Sequence, residues 1–248
     1  MGKTWYSLAM PTILITGATS GLGLELAKLY QDSNLILLGR KPKPDSDIFQ
    51  KHSYIQCDLN QANATTIILQ NLERLNIKHL DLLIHNAAIG YFGNTITQSD
   101  TSINELLQVN LYAPIEITHA LTAHLKQANG KVVFISSIAA HLPTPDYAVY
   151  SASKAALSGF ARNLRIEAHV QVQTIYSGAI ATEFHQKSGA DGKYNTRKFP
   201  TALETAEAIY LAIKSNKHEV TIGFTNTITQ AAGRYLSSTV DSIMRNRR

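Results

Sequence analysis

The sequence predicts a seven-stranded, doubly wound parallel α/β sheet, a three-layer αβα sandwich. Three observations predict it. Short runs rich in Ile, Leu and Val recur along the chain, there are seven of them, and segments of helical period separate most of them. Strands joined through helices must run parallel, with right-handed crossovers and helices covering both faces.

The strands are read at residues 12–16 (TILIT), 35–38 (LILL), 53–57 (SYIQC), 81–85 (DLLIH), 131–136 (KVVFIS), 172–176 (VQTIY) and 219–222 (EVTI). Helical period places helices at 22–31, 61–76, 101–127 in two pieces, 149–168 and 203–215. The crossover GRKPKPDSDIFQKH is broken by proline and holds at most a short helix. Residues 183–200 are polar, contain glycine and lack period, so they read as a mobile lid or substrate loop. In 225–248, Ile228, Ala232, Tyr235, Leu236, Val240 and Ile243 recur near helical period. This is read as an amphipathic terminal helix docked on its own body or a sister subunit, with a membrane-surface helix as the alternative.

With 248 residues, 44% hydrophobic and 17% charged, the chain buries a substantial core, and without linker or repeat it reads as one domain. Residues 1–10 read as an N-terminal extension. A single cysteine, Cys57, excludes an internal disulfide and a cysteine cluster for zinc. No apolar run reaches the length of a membrane span, and MGKTWYSLAM is too weakly apolar for a secretory signal, so a cytoplasmic setting is expected. The net charge of +5 is scattered apart from Arg245, Arg247 and Arg248 in the tail, which makes no case for nucleic acid. The nine histidines show no ligand spacing, and no metal site is expected.

The first strand runs into TGATSGLG, where Gly17, Gly21 and Gly23 open a helix. Such a turn lets backbone N–H groups approach a pyrophosphate at the positive helix end. No Gly-Lys-Ser/Thr follows, so it is not a P-loop. An acid about 20 residues beyond the glycines would bind ribose hydroxyls and select NAD. Here the strand ends in LLGRK, and Arg40, helped by Lys41, is suited to a 2′-phosphate instead. NADP (NADPH) is therefore favoured over NAD.

Tyr-x-x-x-Lys occurs three times, at Tyr150/Lys154, Tyr194/Lys198 and Tyr210/Lys214. Spacing alone does not choose among them. On a helix, residues four apart share a face. An ammonium about 5 Å from a tyrosine hydroxyl, at an effective dielectric near 20, favours phenolate by roughly 3 kcal/mol before desolvation. Lys154 is thus placed to tune the Tyr150 hydroxyl if the stretch is helical.

In order and spacing, TGATSGLG, CDL at 57–59, HNAA at 85–88, Asn110, ISS at 135–137, YSASK at 150–154 and SGAIAT at 177–182 resemble the single-domain short-chain dehydrogenase/reductase family. The resemblance implies a Rossmann-type fold and an oxidoreductase that interconverts a carbonyl and an alcohol. It implies that Ser137, Tyr150, Lys154 and Asn110 are catalytic: Ser137 lies thirteen residues before Tyr150, the family's Ser-x12-Tyr-x3-Lys arrangement, whereas the same offset before Tyr194 and Tyr210 gives Ala181 and Arg197. In it Tyr150 is the acid–base group tuned by Lys154, Ser137 bonds the substrate oxygen, Asn110 holds a relay water and Lys154 also binds the nicotinamide ribose. It further implies cofactor contacts by Gly17, Thr19, Ser20, Gly21, Leu22 and Gly23 of the turn, by Asp58 and Leu59, and by Asn86, Ala87 and Ala88. Gly178, Ile180 and Thr182 complete that set.

Asp58 would hold the adenine amino group, or cap the next helix. Two positions depart from the family pattern: Ala88 replaces a glycine, and Ser177 replaces a proline beside the nicotinamide site. A pocket of Tyr91, Phe92, His141, Leu142, Tyr147, Ile180 and Phe184 suggests an apolar or aromatic small-molecule substrate. Relatives pair through the matching helices, which implies a homodimer or homotetramer. The competing reading is a cofactor-binding regulator or scaffold without catalysis; the intact Ser137, Tyr150, Lys154 and Asn110 set speaks against it.

Overall fold

In the computed structural model, which describes residues 10–245, seven strands form one parallel sheet. They are β1 (Thr12–Thr16), β2 (Asn34–Gly39), β3 (Ser53–Gln56), β4 (Leu82–His85), β5 (Lys131–Ser137), β6 (Gln171–Ser177) and β7 (Glu219–Thr221). The expected extension, apart from Met10, and Arg247 and Arg248 of the tail lie outside the described residues.

The strand order is β3-β2-β1-β4-β5-β6-β7. Crossovers leave β1 toward β2 on one side and arrive at β4 on the other, so a crevice opens at the carboxyl ends of β1 and β4. Side chains alternate across the sheet into two cores. Leu14, Ile36, Leu38, Leu83, Val132 and Phe134 face one side. Ile13, Ile15, Leu35, Leu37, Ile84 and Ile135 face the other. Because both faces are buried, the strands read as unbroken apolar runs.

The first core is covered by α3 (Ala64–Arg74), α5 (Ala113–Ala128) and α6 (Ala148–Glu167) through Ile68, Ile117, Leu121 and Leu157. The second is covered by α1 (Gly21–Leu29), the short α2 (Asp47–Lys51) in the proline-rich crossover, and α8 (Ala202–Ile213). A reciprocal Thr201–Glu204 capping box starts α8. The expected two-piece helix is α4 (Asp100–Leu107) and α5, joined by a π turn at Gln108–Tyr112 that carries Asn110. Asn63 stands at the N-cap of α3, so Asp58 does not cap that helix.

The remaining helices lie in the two segments read as a loop and as a terminal helix. Segment 183–200 contains α7 (Phe184–Lys187) and buries Ser188 and Ala190. The terminal segment is two helices, α9 (Phe224–Tyr235) and α10 (Ser237–Arg245), and not one. Of its apolar stripe, Ile228, Tyr235, Leu236 and Ile243 are exposed and Ala232 and Val240 are half-buried, while α9 buries Gln230 and Gly233. A methyl on Gly233 would lie 2.1 Å from the His141 carbonyl oxygen, so close approach of backbones holds α9 here. No helix among the described residues is long and apolar enough to cross a membrane.

Candidate active site

At the end of β1 the chain turns through Gly17 and Gly21, both at positive φ (67° and 53°). A methyl on Gly23 would stand 2.1 Å from the Gly17 carbonyl oxygen, so α1 starts directly against the turn. Ser20, the N-cap, makes no side-chain cap bond, and the first turn of α1 carries no acid. Its donors and positive end are left to face the cavity, as an anionic pyrophosphate requires.

Thr16 fixes this turn to β4. Its hydroxyl accepts from the backbone N–H of Asn86 (3.0 Å) and of Ala87 (3.1 Å) and donates to the Ile84 carbonyl (3.4 Å). The Asn86 amide donates back to the carbonyls of Thr16 (3.0 Å) and Gly17 (3.1 Å). Sequence reasoning found Asn86 and missed Thr16, whose role exists only because β1 and β4 are neighbours.

Along β2, Gly39 leaves room for Thr19 and Tyr54, since a methyl there would lie 2.3 Å from Thr19 Cγ2. Arg40 follows, exposed and without an ion-pair partner among the described residues. Asp58 Oδ1 accepts from the N–H of Asn60 (3.0 Å), closing the turn after β3.

Ser137 ends β5, and Tyr150 and Lys154 lie one turn apart near the start of α6. Ser137 Oγ accepts from the Ala139 N–H (3.2 Å) and hydrogen-bonds the Tyr150 hydroxyl. Lys154 Nζ donates to the Ile135 carbonyl (2.9 Å) and lies 5.7 Å from the Tyr150 ring centre. The other two Tyr/Lys pairs have no such surroundings. Lys214 covers an ordinary surface tyrosine, Tyr210, at 4.0 Å, and Tyr194 packs within the loop.

Electrostatics here departs from the expected tuning. Tyr150 keeps part of its surface open to the cavity, yet the surrounding protein pushes its hydroxyl up to about 12; the Ser137 bond opposes this and Tyr147 adds to it. Burial pushes Lys154 down to about 8. Desolvation dominates at both groups, raising the hydroxyl and lowering the ammonium, so each is shifted toward its neutral form.

Asn110 is buried and does not line the cavity. Its Oδ1 accepts from the Ile89 N–H (2.8 Å), and its amide donates to the Ile89 carbonyl (2.8 Å) and Ser153 Oγ (3.2 Å). Ser153 in turn donates to the Tyr150 carbonyl (2.7 Å). Both amide protons are thereby committed, and the side chain clamps the segment after β4 to α6. Ser177 ends β6 beside Ser137, its hydroxyl 3.4 Å from the Ser136 carbonyl.

The roof is aromatic. Phe184 lies 5.3 Å from Tyr150, ring centre to ring centre, and would meet a methyl on Gly90 at 2.7 Å. Tyr147 Oη bonds Ser188 Oγ (2.8 Å) and His185 Nδ1 (3.2 Å), tying α6 to the loop around α7. His141 belongs to another cluster: its Nε2 accepts from Arg234 (2.8 Å), which also pairs with Glu219 (2.9 Å). That contact joins α9 to the segment following Ser137.

One continuous cavity of about 1970 Å³ collects these parts. The turn residues from Gly17 to Gly23, Arg40, Asp58, Leu59, Asn86, Ala87 and Ala88 line it, as do Ser137, Tyr150, Lys154, Gly178, Ile180 and Thr182. Of the expected pocket residues, Phe92, Leu142, Tyr147, Ile180 and Phe184 line it, and Tyr91 and His141 do not. The unneutralised helix end, the glycine turn and the basic strand end make this a site that fits a dinucleotide.

Known proteins agree with that geometry. The short chain dehydrogenase family model matches residues 11–193. The chain is similar to Dehydrogenase/reductase SDR family member 7B of Mus musculus, 32% identical over 234 residues that cover 84% of this chain and 72% of the relative. Among solved structures it is similar in fold to a short-chain dehydrogenase from Sphingobium yanoikuyae in complex with NADPH. That likeness has TM-score 0.78 and 21% identity and covers 96% of this chain and 97% of that one. It is also similar in fold to 4-hydroxyisoleucine dehydrogenase complexed with NADH, with TM-score 0.73 and 21% identity, covering 85% and 96%.

Proposed function

This chain belongs to the short-chain dehydrogenase family, and we propose that within it the protein is an NADP-dependent carbonyl reductase. The observation that carries the reading is the joint placement of Ser137, Tyr150 and Lys154 in the cavity that begins at the glycine turn. The turn from Gly17 to Gly23 would hold the pyrophosphate, Asp58 the adenine, and Lys154 and Thr182 the nicotinamide end. Arg40 supports the choice of NADP, since no carboxylate stands at the end of β2 to repel a 2′-phosphate.

When bound, the reduced cofactor supplies the hydride that the carbonyl carbon receives. Ser137 donates a hydrogen bond to the carbonyl oxygen and stabilises the charge that develops there. Tyr150, protonated at neutral pH, gives its proton to that oxygen, and the product is the alcohol. Lys154 supplies positive charge beside the transient phenolate and favours its formation. Asn110 acts one step away, holding Ser153 and hence the first turn of α6 in place. A cytoplasmic, homo-oligomeric protein belongs to the same reading.

The test is NADPH and NADH consumption against a panel of aldehydes, ketones and quinones, with Tyr150→Phe beside wild type. Turnover with NADPH that drops about 10²-fold or more in the variant supports the class and the proton donor together. Equal turnover in both proteins overturns the mechanism. NADPH binding without turnover across the panel favours a regulator.

A further inference from the structure

The cavity does not end at Tyr150. It continues to the terminal helices, where Val240, Ile243 and Met244 of α10 and Ala232 of α9 form part of its wall. These α10 residues stand at i, i+3 and i+4, one apolar face of a nine-residue helix. Yet α10 buries no residue, and Ile243 is 49% exposed. The face is directed at the cavity and not into a protein core.

We propose that this distal end receives the unbranched apolar tail of an elongated aldehyde or ketone, whose carbonyl reaches Tyr150; the proposal rests on the reductase reading above. Three observations favour a substrate tail over other occupants. First, the apolar face of α10 and Tyr150 line the same cavity, so whatever covers that face shares space with the substrate. Second, the cavity runs from the glycine turn past Tyr150 to α10, so its α10 end is lined by other residues than those expected to hold the cofactor. Third, Phe184 lines it beside Tyr150 and Leu142 lines it beside Gly233 of α9, so apolar wall is present at both ends of the path.

The experiment uses unbranched aldehydes of about four to twelve carbons with NADPH, on wild type and on an Ile243→Ser/Met244→Ser double variant. Both positions lie on a helix without buried residues, so the fold should tolerate them. In wild type, kcat/KM should rise about threefold to fourfold per methylene through the middle of the series. In the double variant that rise should flatten, with at least about tenfold lost at the long end and little change for the shortest aldehyde.

Calorimetric titration of short and long primary alcohols into both proteins gives a readout independent of turnover. The long alcohol should bind wild type more tightly, and the advantage should shrink in the variant. A flat series with the shortest aldehyde still reduced overturns the tail site and leaves the reductase reading standing. Chain-length-dependent binding without any turnover supports the tail site and sinks the reductase reading. Absence of chain-length dependence in binding overturns the tail site whatever the turnover. A variant that differs from wild type only in oligomeric state or vesicle binding assigns the face to a second copy or a lipid surface, which also overturns it.

Discussion

Replacing Lys154 by methionine should make the cofactor-free protein more stable at neutral pH while removing its activity. Burial lowers the Lys154 pKa from 10.5 to about 8, so the folded state carries the charged form at a cost. The shift of roughly 2.5 units corresponds to about 3 kcal/mol. A folded pKa below the unfolded one means the cost is fully present below about pH 8, shrinks as pH rises from there, and is gone above about 10.5. Against this stands the bond from Nζ to the Ile135 carbonyl at 2.9 Å, worth about 1–1.5 kcal/mol. Lys154→Met, similar in volume, should therefore gain about 1–2 kcal/mol at pH 7 and show no gain, or a small deficit, near pH 10.5. Urea unfolding of both proteins at several pH values measures this difference, and other titrating groups cancel between them. A variant less stable at pH 7, or a difference independent of pH, refutes the reasoning.

Tyr147→Phe removes the hydroxyl that bonds Ser188 (2.8 Å) and His185 (3.2 Å), so KM for the carbonyl substrate should rise about fivefold or more with a smaller change in kcat. Steady-state kinetics checks the split, and faster proteolysis near α7 checks the cause. Arg40→Ala should narrow the preference for NADPH over NADH by about tenfold to a hundredfold, read from the ratio of kcat/KM values for the two cofactors. Gly233→Ala places a methyl 2.1 Å from the His141 carbonyl oxygen and should cost about 1–3 kcal/mol in chemical unfolding. Its control is Gly159→Ala on α6, where nothing lies within 4 Å; there alanine should stabilise by about 0.5–1 kcal/mol.

The sheet was legible because its strands are covered on both faces, which makes each a short unbroken apolar run such as TILIT or LILL. The glycine turn and the Tyr150/Lys154 pair were legible because turn geometry and helical spacing are local, whereas Ser137, on β5, was found only through the family resemblance. The contact that holds α9 was not legible, for a physical reason: apolar period does not show it, because α9 packs through Gln230 and Gly233, where a missing side chain permits contact with His141. Arg234 and His141 are 93 residues apart, and no local pattern announces such a pair. The direction in which the Tyr150 hydroxyl shifts was hidden as well, because it depends on how much protein surrounds the hydroxyl as much as on its distance from an ammonium.

The two halves of the site are held by different kinds of force, and this separates chemistry from selectivity. Beneath the reacting centre, Thr16, Asn86, Asn110 and Lys154 each bond main-chain groups of another segment, so displacing any one of them leaves buried donors or acceptors without partners. Above it, Phe184 meets Tyr150 through ring contact, Tyr147 holds α7 by a single hydroxyl, and α10 presents an apolar face that buries nothing. Changes below should therefore stop the reaction, and changes above should redirect it. A drift in substrate preference with kcat preserved is the outcome to expect from any apolar substitution confined to α7 or α10.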